Sequence, residues 1–248
     1  MHIHALFLSL VAANAVWASP TTRTTELERG LTVINDGTSE AGGTIEGLTW
    51  QMTGVLDKGC TESTIKDCYS LYLTSDTSKM LDPGFTSSPR QRDEFHFPKL
   101  ALGASFSYTW KQYLYASTGT SSKFFHLMQL FDDTAGEPVI TLDAVNGQIQ
   151  IHDYVRGNGE ASCGSAACPS TNIANYHGTT VTHTISGKTG SSGKVSYTVT
   201  RDDNGDKILS YSAKGSMGTG TTYVKFGTYR AVFSGMTTVN AVVGDWTL

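Results

Sequence analysis

The chain has 248 residues, of which 16% are charged, and it contains 26 glycines and carries a formal net charge of −4. This length fits one all-β domain or two small ones, and the sparse charge and abundant glycine are typical of a secreted β-protein with many turns. No basic run is present, which argues against a nucleic-acid partner, so any polyanion would have to be bound by a local cluster of cations.

The first residues have the pattern of a targeting segment. Residues 1–18 are predicted to be a secretory signal peptide, because residues 5–16 form an apolar run and Ala18 offers a small residue for cleavage. This run is too short to cross a membrane, and no later stretch is long enough. We therefore expect a secreted, extracellular monomer without a membrane partner, with a flexible leader over residues 19–30 and one domain over residues 31–248.

The chain has four cysteines. In an exported protein disulfides are the first interpretation, and proximity in sequence favours the pairs Cys60–Cys68 and Cys163–Cys168. Metal binding is the weaker interpretation, because zinc-ribbon spacing and nearby histidines are missing. No motif requires a cofactor or a metal. A structural calcium ion is left open, although the oxygen-rich segment 202–206 is more simply a hairpin turn.

Short alternating runs bounded by glycine and proline predict roughly a dozen strands and no amphipathic helix. In chain order the predicted strands cover residues 32–35, 48–55, 69–74, 90–97, 104–115, 124–131, 139–144, 148–154, 179–185, 194–201, 207–213, 223–230 and 237–248. Such spacing predicts an antiparallel two-sheet β-sandwich of the jelly-roll kind, whose concave groove would suit a polymer. The nearly continuous apolar run 124–131 should lie mid-sheet.

The strand near the C-terminus has an unusual face. Because side chains alternate across a strand, Tyr223, Lys225, Gly227 and Tyr229 share one side. The glycine lets another group approach the backbone closely. On its own, this strand is better explained by a half-buried position with packed tyrosines whose hydroxyls contact water.

The segment 90–96 places four polar side chains on one face, namely Arg90, Arg92, Glu94 and His96. An exposed face with weak Arg–Glu pairing would explain this row as well as a groove would. In a groove, however, the planar fork of an arginine has a specific use, because it binds a carboxylate through two hydrogen bonds.

A third strand, 124–131, is almost wholly apolar. Its alternation predicts Phe125, Leu127, Gln129 and Phe131 on one face, where the single glutamine needs a partner. His126 is expected on the opposite face, unless a β-bulge redirects it.

In this order along the chain, the three segments resemble the signature strands of the alginate-lyase-type polysaccharide lyases. The matches are Arg-x-Glu at 92–94, the glutamine at 129, and Tyr-x-Lys-x-Gly-x-Tyr at 223–229. Length and single-domain layout are closest to the secreted fungal glucuronan lyases. Two departures stand out. First, Phe131 stands where many alginate lyases have a histidine, and glucuronan lyases also lack that histidine. Second, Arg92 stands where glucuronan lyases have a histidine.

The resemblance implies a lyase that cleaves a polyuronate by removing the proton at C5 and expelling the oxygen at C4. Arg92 and Gln129 would stabilise the charge on the substrate carboxylate. Tyr229 would take the proton and return it to the leaving oxygen, with its ionised form favoured by Lys225 and Arg92. The reserve bases, for the opposite geometry, would be His96 and His126.

Further contacts with an acidic polysaccharide are implied for side chains on the same strands: Glu94, Lys225, Tyr223, Arg90 and His96. Tyr108, Trp110 and Tyr113 could stack on sugars, although core packing is the favoured role for most of them. An open groove favours endo action. The uronic acid and the linkage stay open.

Two other functions compete with this interpretation. A jelly-roll glycoside hydrolase acting on β-glucan would need two carboxyl groups about 5 to 10 Å apart. Glu94 is one candidate, but no second carboxylate stands out on the face of Gln129 or Tyr229. A non-catalytic carbohydrate-binding protein would need only aromatics and loops, and it leaves Arg92, Gln129 and Lys225 unexplained.

Overall fold

The computed structural model describes residues 31–61, 64–157 and 162–248, so the predicted signal peptide and leader at 1–30 lie outside the described residues. The strands are β1 Thr32–Asp36, β2 Ala41–Ile45, β3 Leu48–Met52, β4 Val55–Lys58, β5 Cys68–Leu73, β6 Arg90–His96, β7 Ser105–Leu114, β8 Phe125–Asp132, β9 Glu137–Val145, β10 Gln148–Asp153, β11 Ser162–Cys163, β12 Ala166–Ala167, β13 Ser170–Asn172, β14 Thr180–Lys188, β15 Gly190–Arg201, β16 Lys207–Met217, β17 Thr222–Ala231 and β18 Val239–Thr247. A single turn of 3-10 helix covers Ile173–Asn175.

Sixteen of these strands form two antiparallel sheets of eight. The first sheet has the order β1-β4-β5-β18-β7-β14-β15-β16, and the second sheet has the order β13-β10-β9-β8-β17-β6-β3-β2. The predicted all-β, two-sheet sandwich is confirmed, and β8 lies in the middle of its sheet as its apolar run predicts. Within the described ranges, no helix is long and apolar enough to cross a membrane.

Aromatic rings fill the space between the sheets. The rings of Phe97 and Tyr108 stack with centroids 4.1 Å apart, and those of Trp110 and Phe226 lie 5.0 Å apart. Tyr108 and Trp110 are therefore core residues, as the favoured interpretation of these aromatics has it. Tyr113 packs beside a small separate cluster around Val242.

The predicted strand 48–55 is in fact two strands that belong to different sheets. β3 pairs with β6 in the second sheet, whereas β4 pairs with β5 in the first. Gly54 lies at the crossing, where a Cβ would collide with the carbonyl of Tyr72 and lie within 2.6 Å of the Leu73 side chain. The chain can change sheets here because glycine leaves room for the neighbouring strand.

Glycine-rich segments also account for two errors in strand bounds. The segment predicted as a turn after β1 forms the edge strand β2, paired with β3. Most of residues 186–193, expected as a loop, also belong to strands. β14 continues through Gly187, which lies opposite Phe106 on β7 and Val195 on β15. Pairing with a neighbouring strand overrides the low β-propensity of glycine in both places. The hairpin between β9 and β10 turns at Asn146 and Gly147, whose φ values are 49° and 74°.

Both predicted disulfides are present. Cys60–Cys68 closes the loop between β4 and β5, and Cys163–Cys168 closes the β11–β12 hairpin.

Candidate active site

The three strands singled out in the sequence are neighbours in the second sheet, where β17 lies between β8 and β6. Tyr229 is opposite Arg92 on one side and His126 on the other. Lys225 is likewise opposite His96 and Gln129. Phe95, Val224 and Phe226 alternate with these residues and belong to the core, so the polar side chains gather on the outer face of this sheet.

Gly227 explains why β17 tolerates this crowding. It lies opposite Glu94 with φ of 132°, a conformation that favours glycine. A Cβ at this position would collide with the carbonyl of Asp93. The close approach predicted at this glycine is therefore that of the neighbouring strand β6.

A β-bulge in β8 redirects His126 to the outer face. The ladder between β8 and β9 shifts register between His126 and Met128, and Leu127 and Met128 both belong to the core. The predicted face of Phe125, Leu127, Gln129 and Phe131 is therefore wrong, because Phe125 and Leu127 pack inward. His126 instead lies beside Tyr229, with ring centroids 5.7 Å apart.

Arg92 is buried and held by several acceptors. Its Nη1 donates to Oε1 of Gln51 at 2.6 Å, and its Nη2 forms an ion pair with Asp82 from the loop between β5 and β6. The guanidinium also lies 3.8 Å from Glu94. Burial acts to lower the pKa of Arg92, but Glu94, Tyr229 and Asp82 outweigh it and raise that pKa.

Gln129 and Glu94 satisfy one another. The Gln129 amide donates to Oε1 of Glu94 at 2.6 Å, and both side chains are buried. Burial alone would raise the pKa of Glu94, but Lys225, Arg92 and His96 together hold it below its usual value. Glu94 is therefore an ionised anchor between the cations of the site.

The hydroxyl of Tyr229 accepts hydrogen bonds from two guanidinium groups, Arg90 Nη1 at 2.9 Å and Arg92 Nη2 at 3.4 Å. Burial nevertheless raises the pKa of Tyr229, because it outweighs the opposing effects of both arginines. The expectation that nearby cations keep this phenol ionised is therefore wrong. The phenol carries its proton in the free protein.

Arg90 is the more accessible of the two arginines. Its guanidinium lies 3.9 Å from the ring centroid of Phe85 and donates to the carbonyl of Ser88 as well as to Tyr229. Among the described residues it forms no ion pair. It is thus the guanidinium of this site whose charge no protein carboxylate compensates.

At the other end of the cluster, the ammonium of Lys225 lies 3.7 Å from the ring centroid of Phe131 and 5.4 Å from that of Tyr223. Burial lowers the pKa of Lys225. Burial also lowers the pKa of His96 to about 4, and its ring packs 5.4 Å from Tyr223. His96 is therefore uncharged near neutral pH, and Phe131 serves as the aromatic support of a cation.

Sequence reasoning missed a buried carboxylate beside His126. Asp143 on β9 contacts Nδ1 of His126 at 2.5 Å and Nδ1 of His152 at 3.0 Å. Burial acts to raise the pKa of Asp143, but the two histidines lower it to about 2. A lone carboxylate in the apolar run 139–144 needs a partner just as Gln129 does, and this signal could have revealed it.

No protein-family model matches the chain, and none of the curated proteins matches it in sequence. Solved structures do match. An endo-β-1,4-glucuronan lyase from the fungus Trichoderma reesei superposes with a TM-score of 0.57 and 11% identity, covering 84% of this chain and 92% of that one. The family 7 alginate lyase A1-II′ in complex with substrate gives 0.52 and 15%, covering 88% and 90%. The chain has the fold of the alginate-lyase-type polysaccharide lyases.

On this lyase fold, carboxylates other than Glu94 do lie near the site, which corrects the expectation that none stands out there. Asp82 reaches it from a loop, and Asp143 lies beside His126. Asp82 is paired with Arg92, and Asp143 is fully buried between two histidines.

Across the parts of the chain that the structure describes, no group of three or more histidine, cysteine, aspartate or glutamate side chains could hold a metal ion.

Proposed function

We propose that this protein is a secreted, endo-acting polysaccharide lyase that cleaves a uronic-acid polymer, glucuronan or an alginate-like chain, by β-elimination. The observation that carries this proposal is the position of Tyr229. Its hydroxyl accepts from two guanidinium groups, and its ring lies beside a histidine that a buried aspartate orients. These are the parts that a coupled proton removal and proton delivery require.

The first requirement is to stabilise the carboxylate as the C5 proton leaves. Negative charge then develops on the carboxylate oxygens, and a fixed cation lowers the energy of that enolate. Arg90 fits this role because, among the described residues, no carboxylate forms an ion pair with it. The amide of Gln129 donates one proton to Glu94 and keeps a second one for the substrate.

Tyr229 serves as the acid. Its phenol is protonated in the free protein, and its oxygen already accepts from Arg90 and Arg92, so its own proton points elsewhere. Transfer of this proton to O4 breaks the C4–O bond and leaves a tyrosinate. The same two guanidinium groups then stabilise the tyrosinate.

His126 serves as the base. Asp143 is ionised and can only accept, so Nδ1 of His126 carries a proton and Nε2 carries the lone pair. His126 takes the C5 proton, the C4=C5 double bond forms, and the new reducing end leaves with the proton from Tyr229. Transfer of a proton from His126 back to Tyr229, through solvent, restores both groups.

Arg92 acts mainly as a positioning residue in this scheme. Its guanidinium is committed to Gln51, Asp82 and the hydroxyl of Tyr229. Lys225, Glu94, Tyr223 and His96 complete the polar surface around the sugar.

The positions of acid and base favour a substrate stereochemistry. Tyr229 and His126 are opposite each other on one sheet face, so they reach a sugar ring from one side. Syn elimination requires H5 and O4 on the same side of the ring, as in glucuronate and mannuronate, whereas guluronate has them on opposite sides. We therefore propose glucuronan or a mannuronate-rich polymer as the substrate.

The two disulfides support export to an oxidising compartment.

The deciding experiment is an absorbance assay for unsaturated uronate on four polymers: glucuronan, polymannuronate, polyguluronate and a neutral β-glucan. We expect new absorbance with the first or second polymer and much less with the third. Reducing ends released from the neutral glucan would instead establish a hydrolase. Binding without any cleavage would establish a carbohydrate-binding protein.

A further inference from the structure

A pocket of about 230 Å³ lies next to the proposed catalytic residues, and no step of the proposed reaction uses it. Its walls come from β9, β10 and the segment before β8. The lining residues are Ser122, Phe124, Asp143, Val145, Asn146, Gln150, His152 and Tyr154. Pockets for drug-sized ligands measure roughly 300–1,000 Å³, so this one suits a single sugar ring.

The pocket is continuous with the site. The ring of Phe124, part of its wall, lies 4.7 Å from the ring of His126 and 5.3 Å from that of Tyr229. Asp143 lines the pocket and contacts Nδ1 of His126. A polymer whose reacting unit lies at Tyr229 would therefore place an adjacent unit here.

The chemistry of the walls is that of a site for uncharged hydroxyl groups. Asn146 and Gln150 offer amides, Ser122 offers a hydroxyl, and Phe124 and Tyr154 offer aromatic surface for a sugar face. The lining residues include no lysine or arginine, and the one histidine among them, His152, lies with its Nδ1 3.0 Å from Asp143, whose pKa is lowered to about 2. A second uronate carboxylate placed here would lose its water and lie beside the ionised Asp143, whose histidine partner is already engaged.

We infer that this pocket binds an uncharged sugar unit next to the uronate that is cleaved, so that the preferred substrate is a mixed polymer of uronate and neutral sugar. The inference rests on the proposed lyase function and specifies its substrate class. It divides the outer face of the second sheet into two parts. A cationic part around Arg90 and Lys225 binds the reacting uronate, and a neutral part around Gln150 binds its neighbour.

The test uses one glucuronan sample whose carboxyl groups are chemically reduced to neutral hexose in graded fractions, so that chain and linkages stay the same. We expect kcat/KM, per remaining uronate, to rise at partial reduction. Full reduction should abolish cleavage, because no carboxylate then supports the enolate. If kcat/KM per remaining uronate instead falls at every degree of reduction, the inference is overturned while the lyase function stands.

A pair of charge variants gives the matched control. Gln150→Lys adds a cation inside the pocket, whereas Gln148→Lys adds it two residues earlier on the same strand, outside the lining. We expect only Gln150→Lys to raise activity on unreduced glucuronan, by up to about fivefold, as for a partly exposed ion pair. Equal effects of the two variants would mean that the pocket does not contact the polymer.

A binding measurement needs no turnover. Calorimetry measures how tightly the wild-type protein binds an oligosaccharide whose carboxyl groups are all reduced. The pocket should bind it, and Gln150→Ala should weaken that binding by roughly 2- to 12-fold, the loss of one hydrogen bond, while Gln148→Ala should not. If no polymer is cleaved but this difference is found, the proposed lyase function fails and the neutral sugar site stands. If neither variant changes binding, the inference fails.

Discussion

His126 lies directly opposite Tyr229 across the β17–β8 pair, with ring centroids 5.7 Å apart, although an ideal strand would turn His126 away from the face of Gln129. The bulge at Leu127 and Met128 makes this arrangement. A one-residue insertion in a strand thus places a base candidate beside an acid candidate.

We expect Tyr229→Phe to reduce lyase turnover by roughly 10²- to 10⁴-fold, because the hydroxyl is the only group lost and proton delivery to O4 depends on it. The fold should be unchanged, since one oxygen is removed. Tyr115→Phe is the matched control, because it deletes the same oxygen from a tyrosine that packs against the separate cluster around Val242, outside the site. A Tyr229→Phe variant with wild-type turnover would disprove the proposed acid.

We expect His126→Ala to lower turnover in the same range, roughly 10²- to 10⁴-fold, because it removes the lone pair that takes the C5 proton. Asp143→Asn should keep the pocket shape but lose the ionised partner that fixes the tautomer of His126. The test is kcat at one fixed pH, which should fall in Asp143→Asn as well. His177→Ala, a histidine outside the site, should leave kcat unchanged.

The sequence alone predicted most strands and the polar faces of two of the three, because alternation within a strand is a local property, whereas the meeting of the three strands was implied by the resemblance to the lyases. It placed Gln129, Lys225, Glu94 and Tyr229 on faces that the structure brings together. It could not place His126, because a bulge depends on how the neighbouring strands pair.

The sequence is equally unable to predict charged side chains that a distant loop brings to the site. Asp82 lies in a polar loop, and only the path of that loop brings it to Arg92. Burial is also a property of the assembled fold. The sequence predicts which cations surround Tyr229, but the desolvation that raises the pKa of its phenol becomes visible only when the side chain is packed.

We expect the free energy of unfolding to fall as the pH drops from about 6.5 toward 4. His183 is buried between the hydroxyls of Tyr176 and Tyr197, and burial lowers its pKa to about 3. Unfolded histidine binds a proton near pH 6.5, so acid favours the unfolded chain across this window. His96, with a pKa lowered to about 4 by burial, acts in the same direction.

A further loss is expected below about pH 4, where unfolded aspartates begin to bind protons while Asp143, with a pKa of about 2, does not. Urea unfolding midpoints measured between pH 3 and pH 8 test both steps. His183→Gln should be less stable overall but should show a flatter decline between pH 6.5 and 4. An unchanged slope in this variant would contradict the assignment to His183.

The two arginines that meet at Tyr229 should respond differently to truncation. Arg92→Ala leaves Asp82 buried without its cation, whereas Glu94 keeps Lys225, and breaking a buried pair in this way typically costs about 3–5 kcal/mol. The free energy of unfolding should therefore fall, and Asp82→Asn in the same chain should recover part of the loss. Arg90→Ala removes a guanidinium that has no ion pair within the part of the chain that the structure describes, so stability should change little.

In activity the order of the two variants should be reversed, because the proposed substrate contact belongs to Arg90. Arg90→Ala should lower kcat and raise KM, because the proposed carboxylate contact exists before and during the reaction. Arg90→Lys should restore binding in part, since it keeps the charge but not the planar fork. A KM effect confined to Arg92→Ala would mean that Arg92 meets the substrate carboxylate and Arg90 does not.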